Sequence, residues 1–311
     1  IGHTDIDNRG SEGVEGAFDE MLRERDGLLL GYVDALGNRV PGQQQREEPQ
    51  HGRSLVLTID ALYQGIMEEE LQQAIDRSQA EGALGLILDP RSGAVLAMAN
   101  LPLFDPNDAA NTVPELRRNR AITDAYEPGS TFKVIAAAAV LEEGLARLED
   151  RVFCEWGELE LTNGEIIRDT EAYGDLLFAQ VMEKSSNIGL IKFARRLERP
   201  RFYEYIRRFG FATRTGINLP AENSGLLQNA DQWSERSLET IAIGQEIGVT
   251  ALQLALAYGA VANGGELMVP HIAAGTVDTD GRFEKRGGPQ VVRRVLGRRV
   301  AAQLGQVLAG V

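Results

Sequence analysis

Residues 126–133 read YEPGSTFK and lead into an alanine-rich run, VIAAAAVLEEG. The Pro-Gly pair predicts a turn, and the run after it predicts a helix over 130–143 that Gly144 ends. The helix is apolar on nearly every side, which is typical of a buried helix. Ser130 and Lys133 therefore lie in the first turn of a helix that is predicted to be buried. Polar and charged side chains are unusual at such a position, so their presence needs an explanation.

A serine hydroxyl becomes a good nucleophile when a base takes its proton, and a neutral lysine can be that base. Three residues apart on a helix, Ser130 and Lys133 project from one face, so we expect their side chains to share a hydrogen bond. The helix N-terminus favours an oxyanion, and burial would lower the pKa of the lysine. The plain structural alternative is a helix cap at Ser130 and a solvated lysine in the first turn.

A second pattern, EKSSNIG at residues 183–189, lies in a region that we predict to be helical over 176–197. Ser185 could pass a proton between Lys133 and a leaving nitrogen, and Asn187 could hold Lys133 and bind a substrate amide. On its own, SSN could equally be a helix cap or a turn. Ser-x-x-Lys together with Ser-x-Asn, however, is a signature of β-lactamases and penicillin-binding proteins.

Composition excludes several other classes of protein. The net charge of −14 argues against a nucleic-acid-binding protein, whose affinity depends on a basic surface. Cys154 is the only cysteine, so the chain offers no cysteine cluster for zinc or iron–sulfur, and we predict no cofactor. The three histidines (His3, His51 and His271) sit in no recognisable motif, which disfavours a Ser-His-Asp triad. The sequence contains no run of 18 apolar residues, so it predicts no membrane span in this chain.

The N-terminal quarter predicts a mixture of short elements. Residues 1–27 contain a helical pattern in SEGVEGAFDEMLRERDG. Residues 28–40 read as a hairpin with Gly37-Asn38 near its turn. Residues 41–52 are polar, with Pro and Gly near their ends, and we interpret them as a linker or an exposed loop.

The next segments alternate between strands and a long helix. Residues 54–60 read as a strand, and Asp60 is placed to cap a helix over 61–80. Residues 83–89 and 94–100 read as two strands joined by a tight turn. They are almost continuously apolar, so we expect both faces of this hairpin to be covered.

Two helices are predicted in the C-terminal part. Thr250 is placed to cap ALQLALAYGAVAN, and RRVAAQLGQVLAGV reads as a helix that continues to the last residue. No internal repeat is visible. The pattern predicts a helix-rich α+β domain with a mainly antiparallel sheet.

Much of the chain resembles the transpeptidase region of class B penicillin-binding proteins. The resemblance implies their α+β fold, shared with serine β-lactamases, in which helices flank a mainly antiparallel sheet. Residues 1–50 resemble the end of that family's non-catalytic pedestal (dimerisation) module with its linker, and 51–311 resemble the transpeptidase domain. The matching stretches follow the family order over about residues 53–272: GRSLVLTIDALYQ, LGLILDPRSGAVLAMANLPLFDPN, RNRAITDAYEPGSTFKV, EKSSNIG, FGFATRTGINLPAENSG and IGQEIGVTALQLALAYGAVANGGELMVPHI.

The resemblance also implies an activity and a set of site residues. It implies a peptidoglycan D,D-transpeptidase that attacks D-Ala-D-Ala stem peptides and is acylated by β-lactams. Ser130 matches the acylated serine and Lys133 its base. Ser185 matches the catalytic serine of the second motif, and Asn187 matches its substrate-binding asparagine.

Partners and location are likewise implied by the family. They are a glycosyltransferase and other proteins of the division or elongation complex, and the outer face of the bacterial inner membrane. We expect the membrane anchor to lie N-terminal to this chain.

One departure from the family pattern concerns its third motif, Lys-Thr-Gly or a close variant, which should follow the GVTALQLALAYGAVANGG segment. KRG at 285–287 lacks the hydroxyl residue, and RTG at 214–216 comes too early and belongs to a structural loop. We therefore expect 51–311 to lack the C-terminal strands of the domain. Since losing one oxyanion donor costs about 10²–10³ in rate, this portion alone would be a weak catalyst.

Two alternatives to a transpeptidase stay open from the sequence. The same residues could serve a D,D-carboxypeptidase or a β-lactamase-like hydrolase. The chain could also be a β-lactam-binding scaffold in the division or elongation complex, although the intact set of four site residues argues against a scaffold without activity.

Overall fold

The fold combines helices with short strands, as predicted. The computed structural model describes residues 1–33, 36, 39–161 and 163–310. The α-helices of this part are α1 (Gly13–Ala17), α2 (Asp19–Leu22), α3 (Ala61–Ser78), α4 (Pro114–Arg117), α5 (Arg120–Thr123), α6 (Lys133–Glu142), α7 (Phe178–Glu183), α8 (Asn187–Ala194), α9 (Arg199–Arg208), α10 (Ser237–Ala242), α11 (Ala251–Ala262) and α12 (Arg298–Leu308). The strands are β1 (Leu28–Val33), β2 (Arg39–Glu47), β3 (Ser54–Leu57), β4 (Ala83–Leu88), β5 (Val95–Leu101), β6 (Arg151–Phe153), β7 (Glu158–Glu160), β8 (Ile166–Arg168), β9 (Asp175–Leu177), β10 (Glu266–Met268), β11 (Ala273–Val277), β12 (Phe283–Lys285) and β13 (Val291–Arg294).

Every pair among these strands is antiparallel, which confirms the predicted sheet type. In the described part of the chain the pairs form one three-stranded sheet, β12–β11–β3, and five two-stranded ones. Contacts beyond the strands join β3 to β5: the Thr58 hydroxyl donates to the Val95 carbonyl at 2.6 Å, and the Asp60 N–H donates to Leu96 at 2.8 Å.

The β4–β5 hairpin is covered on both faces, as its apolar sequence predicted. Helix α3 packs on one face, where Gly85 allows its close approach: a Cβ added there would lie 2.7 Å from Met67 Sδ. Helix α11 packs on the other, with Gly259 against Leu88. The Asp60 side chain accepts from two N–H groups of α3 and caps it as predicted. Thr250 caps α11, also as predicted: its hydroxyl accepts from the Gln253 N–H, and the Gln253 side chain accepts from the Thr250 N–H.

Helix α6 forms the centre of the helical half of the molecule. Nine of its residues, from Lys133 to Leu141, are buried. Helices α7, α8, α9, α10 and α12 all contact it. Four consecutive alanines, 136–139, are completely buried, and such small side chains let neighbouring helices approach closely. The buried helix predicted from the alanine-rich run is therefore confirmed.

Three predictions near the chain ends need correction. The sequence predicts a linker or an exposed loop over residues 41–52, but residues 41–47 belong to β2, which pairs with β1. Strand pairing depends on the partner more than on the intrinsic propensity of a polar segment. The predicted turn at Gly37-Asn38 lies outside the described residues.

Helix α12 ends at Leu308, before the last residue. The helical pattern within residues 1–27 forms two short helices rather than one.

Candidate active site

Ser130 is presented at the surface by a tight turn. It lies in a 3-10 turn, Gly129–Phe132, which leads directly into α6, so it precedes the α-helix rather than forming its first residue. Phe132 is completely buried and packs edge-to-face on Phe211, with ring centroids 5.1 Å apart. Ser130 itself is exposed. The inward aromatic ring anchors the turn, and the serine is left free to meet a substrate.

The loop after α10 holds this turn in place. The Gly129 N–H donates to the Gly244 carbonyl at 3.0 Å. A Cβ on Gly244 would lie 2.1 Å from the Gly129 oxygen, so this approach requires glycine. The Glu246 N–H donates to the Glu127 side chain at 2.9 Å. The loop after α10 thus holds the backbone that precedes Ser130 at two points.

Lys133 is a buried amine in contact with the second motif. Its side chain is 2% exposed, and its ammonium donates to the Ser185 carbonyl at 2.5 Å and to Ser185 Oγ at 3.0 Å. Burial lowers its pKa to about 8, while the negative charge of Asp169 acts to raise it. A lysine with this pKa is partly neutral at physiological pH and can accept a proton.

The expected hydrogen bond between Ser130 and Lys133 is not formed. Lys133 binds Ser185 instead, and among the described residues no hydrogen bond reaches the Ser130 hydroxyl. The physical reason is that the buried amine needs strong acceptors, and the carbonyl of Ser185 meets that need directly. Catalytic hydrogen bonds often tighten only when substrate binds, so the serine is still a candidate nucleophile.

Ser185 stands in a break between two helices, not within one. The region predicted as helical over 176–197 splits into α7 and α8, and Ser185 adopts a left-handed backbone with φ of +53°. Its N–H donates to Met182 at 3.2 Å, and the next N–H, that of Ser186, donates to Val181 at 2.9 Å. This ending of α7 turns the Ser185 carbonyl and hydroxyl towards the lysine.

Asn187 lies beside the lysine site but is held elsewhere. Its side-chain Nδ2 donates to the Arg168 carbonyl at 2.8 Å, so the prediction that Asn187 holds Lys133 is wrong. The lysine already takes its acceptors from Ser185. Within the described chain, no donor reaches the side-chain oxygen of Asn187, which leaves it available for the N–H of a substrate.

Asp169 is a site residue that the sequence analysis missed. Its carboxylate accepts from the Ser186 hydroxyl at 2.6 Å, the Asn187 N–H at 2.6 Å and the Ile188 N–H at 3.1 Å. The completely buried Cys154 has its Sγ 3.6 Å from the same Ser186 hydroxyl. Asp169 lies 16 positions before the second motif and in no pattern with it, so no local sequence signal marks it.

The two near-matches to a third motif occupy unrelated places. RTG at 214–216 is a loop tied to the buried Glu222, whose carboxylate accepts from the Thr215 N–H at 2.6 Å. Lys285 of KRG ends the exposed strand β12. The structure therefore supports the interpretation of RTG as a structural loop.

The part of the chain that the structure describes contains neither a candidate membrane span nor a candidate metal site. No helix there combines the length and the apolarity needed to cross a lipid bilayer. The same residues contain no cluster of three or more His, Cys, Asp or Glu side chains arranged to hold a metal ion.

Comparison with known proteins decides the family. The sequence model of the penicillin binding protein transpeptidase domain matches residues 83–311, most of the chain. The chain belongs to the penicillin-binding protein transpeptidase family. The predicted resemblance to class B penicillin-binding proteins and the predicted α+β transpeptidase fold are thereby confirmed.

Individual members of the penicillin-binding protein family match along most of the chain. Stage V sporulation protein D of Bacillus subtilis is 33% identical over 316 residues, which cover 100% of this chain and 49% of that protein. Peptidoglycan D,D-transpeptidase FtsI of Escherichia coli K12 is 35% identical over 265 residues, which cover 85% of this chain and 44% of that protein. The chain thus spans about half the length of these relatives.

A solved structure of the family shows the same fold. Penicillin binding protein 3 of Mycobacterium tuberculosis, in its complex with ampicillin, superposes with a TM-score of 0.87 at 33% sequence identity. The superposition covers 99% of this chain and 65% of the other. Nearly all of the chain therefore shares its architecture with a protein that binds a β-lactam.

Proposed function

We propose that this chain belongs to a peptidoglycan D,D-transpeptidase that cross-links stem peptides through an acyl-enzyme on Ser130. One observation carries the proposal most strongly. A buried lysine with a pKa of about 8 lies one turn from an exposed serine and is bonded to the serine of the second motif. Burying a lone lysine destabilises the fold. A role for the neutral amine as the base in acyl transfer explains why the residue is buried there.

In the acylation step, neutral Lys133 takes the proton of the Ser130 hydroxyl as Oγ attacks the carbonyl of the penultimate D-Ala. The first N–H groups of the turn and of α6 favour the negative charge on the carbonyl oxygen. The proton then passes from Lys133 through the Ser185 hydroxyl to the leaving amine, and D-Ala departs. The products are an ester on Ser130 and one free D-Ala.

In the transfer step, the amine of a second stem peptide attacks this ester. Lys133 and Ser185 accept the proton of the amine and return it to Ser130, which regenerates the enzyme. Asn187 binds the substrate backbone through its side-chain oxygen. A β-lactam enters the same first step: its ring amide opens, the leaving nitrogen stays attached, and the ester on Ser130 persists.

The wider setting of the proposal follows from the substrate. Peptidoglycan lies outside the bacterial inner membrane, so we place the enzyme at that face. A partner that supplies new glycan strands, a glycosyltransferase, fits the reaction, as do other proteins of the division or elongation complex.

Labelling with a fluorescent penicillin tests the proposal in the protein as its gene encodes it. We expect a covalent label on Ser130, identified by mass spectrometry of the peptide, and none in Ser130→Ala. Ser78→Ala, which changes an exposed serine at the end of α3, should be labelled normally. Absence of label from the unaltered protein would sink the proposal.

A second measurement separates transfer from hydrolysis. With a D-Ala-D-Ala peptide and an acceptor amine, we expect a cross-linked product in a mass spectrum. Release of D-Ala without cross-linking would instead indicate a carboxypeptidase, and rapid release of opened β-lactam would indicate a β-lactamase-like hydrolase. Normal growth of cells that rely on Ser130→Ala would indicate a scaffold.

A further inference from the structure

The loop after β8 grips the second motif at several points. The Asp169 carboxylate accepts from the Ser186 hydroxyl and from the N–H groups of Asn187 and Ile188. The preceding Arg168 carbonyl accepts from the Asn187 side chain at 2.8 Å. The carboxylate thus satisfies the first two N–H groups of α8, and the Ser186 hydroxyl accepts from a third, that of Gly189, at 2.9 Å. The neighbouring Arg168 carbonyl orients the asparagine.

These hydrogen bonds matter because the backbone of Ser185 is strained. A serine with φ of +53° has an unfavourable backbone conformation, which persists only where the surrounding structure imposes it. On one side, the ending of α7 holds Ser185 and Ser186 through N–H bonds to Met182 and Val181. On the other side, the hold on Ser186 comes from Asp169.

Asp169 is itself fixed by an unusual stretch of backbone. Its N–H donates to the Gly157 carbonyl at 3.1 Å. Gly157 ends a run of three consecutive left-handed residues, Glu155, Trp156 and Gly157, with φ of +51°, +53° and +87°. Strained backbone such as this segment, which binds the Asp169 N–H, is typical of places where the position of a side chain matters for function.

We propose that Asp169 is a positioning residue for the acyl transfer proposed above, on which this inference rests: by fixing the amino end of α8, its carboxylate forces Ser185 into the left-handed conformation that presents its carbonyl and hydroxyl to Lys133. Without that hold, Ser185 relaxes and the lysine loses both acceptors at once. The negative charge of Asp169 also opposes the fall in the Lys133 pKa that burial causes.

Saturation kinetics of labelling by a chromogenic cephalosporin tests the role. For Asp169→Asn, which keeps the size of the side chain but loses the charge and part of its accepting capacity, we expect the acylation rate constant to fall at least tenfold. The dissociation constant of the non-covalent complex should change less than threefold. Asp175→Asn, an exposed aspartate in the neighbouring strand β9, is the matched control and should change neither constant.

A second variant keeps the test decisive if Asp169→Asn fails to fold. Ser186→Ala removes one of the three bonds to the carboxylate together with the cap that the hydroxyl gives the Gly189 N–H. We expect a two- to fivefold lower acylation rate constant in a folded protein. Unchanged acylation in the folded variants would overturn the inference alone, as would an effect on the dissociation constant only. No labelling of the unaltered protein would overturn the proposed function and this inference with it.

Discussion

At the scale of single residues, burial of the Lys133 amine costs free energy and also gives the amine the lowered pKa that a catalytic base needs. Lys133 is 2% exposed as a residue, so its amine loses most of its hydration, and two acceptors from Ser185 replace part of it. The Ser-x-x-Lys spacing is a local pattern, so the sequence alone selects Ser130 and Lys133 as candidate site residues. Asp169 could not be found in this way, since its role arises only when the loop after β8 folds against α8.

The Lys133 pKa predicts how acylation depends on pH. The neutral amine is the proposed base, and its pKa of about 8 means that the neutral fraction grows roughly tenfold per pH unit below 8 and levels off above it. We expect the rate of labelling by a fluorescent penicillin to follow that curve between pH 6 and 9. Circular dichroism over the same range controls for unfolding, and a rate that stays constant would contradict the role.

The same pKa predicts a stability change for Lys133→Met. The pKa is about 8 in the folded chain against an ordinary 10.5, so the unfolded chain binds more protons between these values and stability rises with pH across that window. Below pH 8 the buried Lys133 amine is charged in the folded chain, so its burial lowers the free energy of unfolding by the full amount. We expect Lys133→Met to raise the free energy of unfolding at pH 7 by about 1–3 kcal/mol while labelling is lost.

Urea unfolding at pH 7 and at pH 10 checks the sign of this effect. The gain from Lys133→Met should shrink at the higher pH, where the lysine of the unaltered protein is neutral. A variant that is less stable at both pH values would contradict the prediction.

At the scale of elements, sequence patterns predicted helices well and their interruptions poorly. The alanine-rich run and the caps at Asp60 and Thr250 are local signals, and α6, α3 and α11 lie where these signals place them. The break at Ser185 has no glycine or proline to mark it. It exists because contacts between α7, α8 and the loop after β8 outweigh the helical preference of the segment.

The contact between α7 and α8 predicts a strong effect at Gly189. A Cβ there would lie 2.5 Å from Val181 Cγ2, so we expect Gly189→Ala to lower the free energy of unfolding by about 1–2 kcal/mol and to slow acylation. Gly305→Ala in α12 is the control, since a Cβ there meets nothing within 4 Å, and it should stabilise by about 0.5–1 kcal/mol. Urea denaturation measures both.

A compensating variant sharpens this prediction. In a Val181→Ala background the added Cβ gains room, so the cost of Gly189→Ala should shrink. An equal cost in both backgrounds would show that the close contact with Val181 is not the source of the lost stability.

At the scale of the whole molecule, the first 50 residues are joined to the rest through the core. Val14 is 6% exposed and belongs to the same buried cluster as α6. The Arg53 N–H donates to the Met21 carbonyl at 2.9 Å. Sequence patterns could suggest a boundary at residue 50 from the polar stretch that follows β1, but they could not show these long-range contacts. The division into a pedestal module and a transpeptidase domain stays a prediction.

Val14→Ala tests whether the two parts unfold together. Both tryptophans, Trp156 and Trp233, lie beyond residue 50, so their fluorescence reports on the larger part. If the core is shared, Val14→Ala should lower the free energy of unfolding measured by this signal by about 1–3 kcal/mol. Val113→Ala, at an exposed valine, should change it by less than about 0.5 kcal/mol. An unshifted tryptophan transition in Val14→Ala would indicate independent units.

The buried thiol beside Ser186 gives the molecule a built-in chemical reporter. Cys154 is the only cysteine, it is completely covered, and burial raises its pKa, so alkylating reagents meet an inert group in the closed state. Alkylation must then wait for local unfolding around the second motif, and its rate gives the free energy of that opening. No label or engineered cysteine is needed to follow how an acyl group on Ser130 tightens or loosens this region.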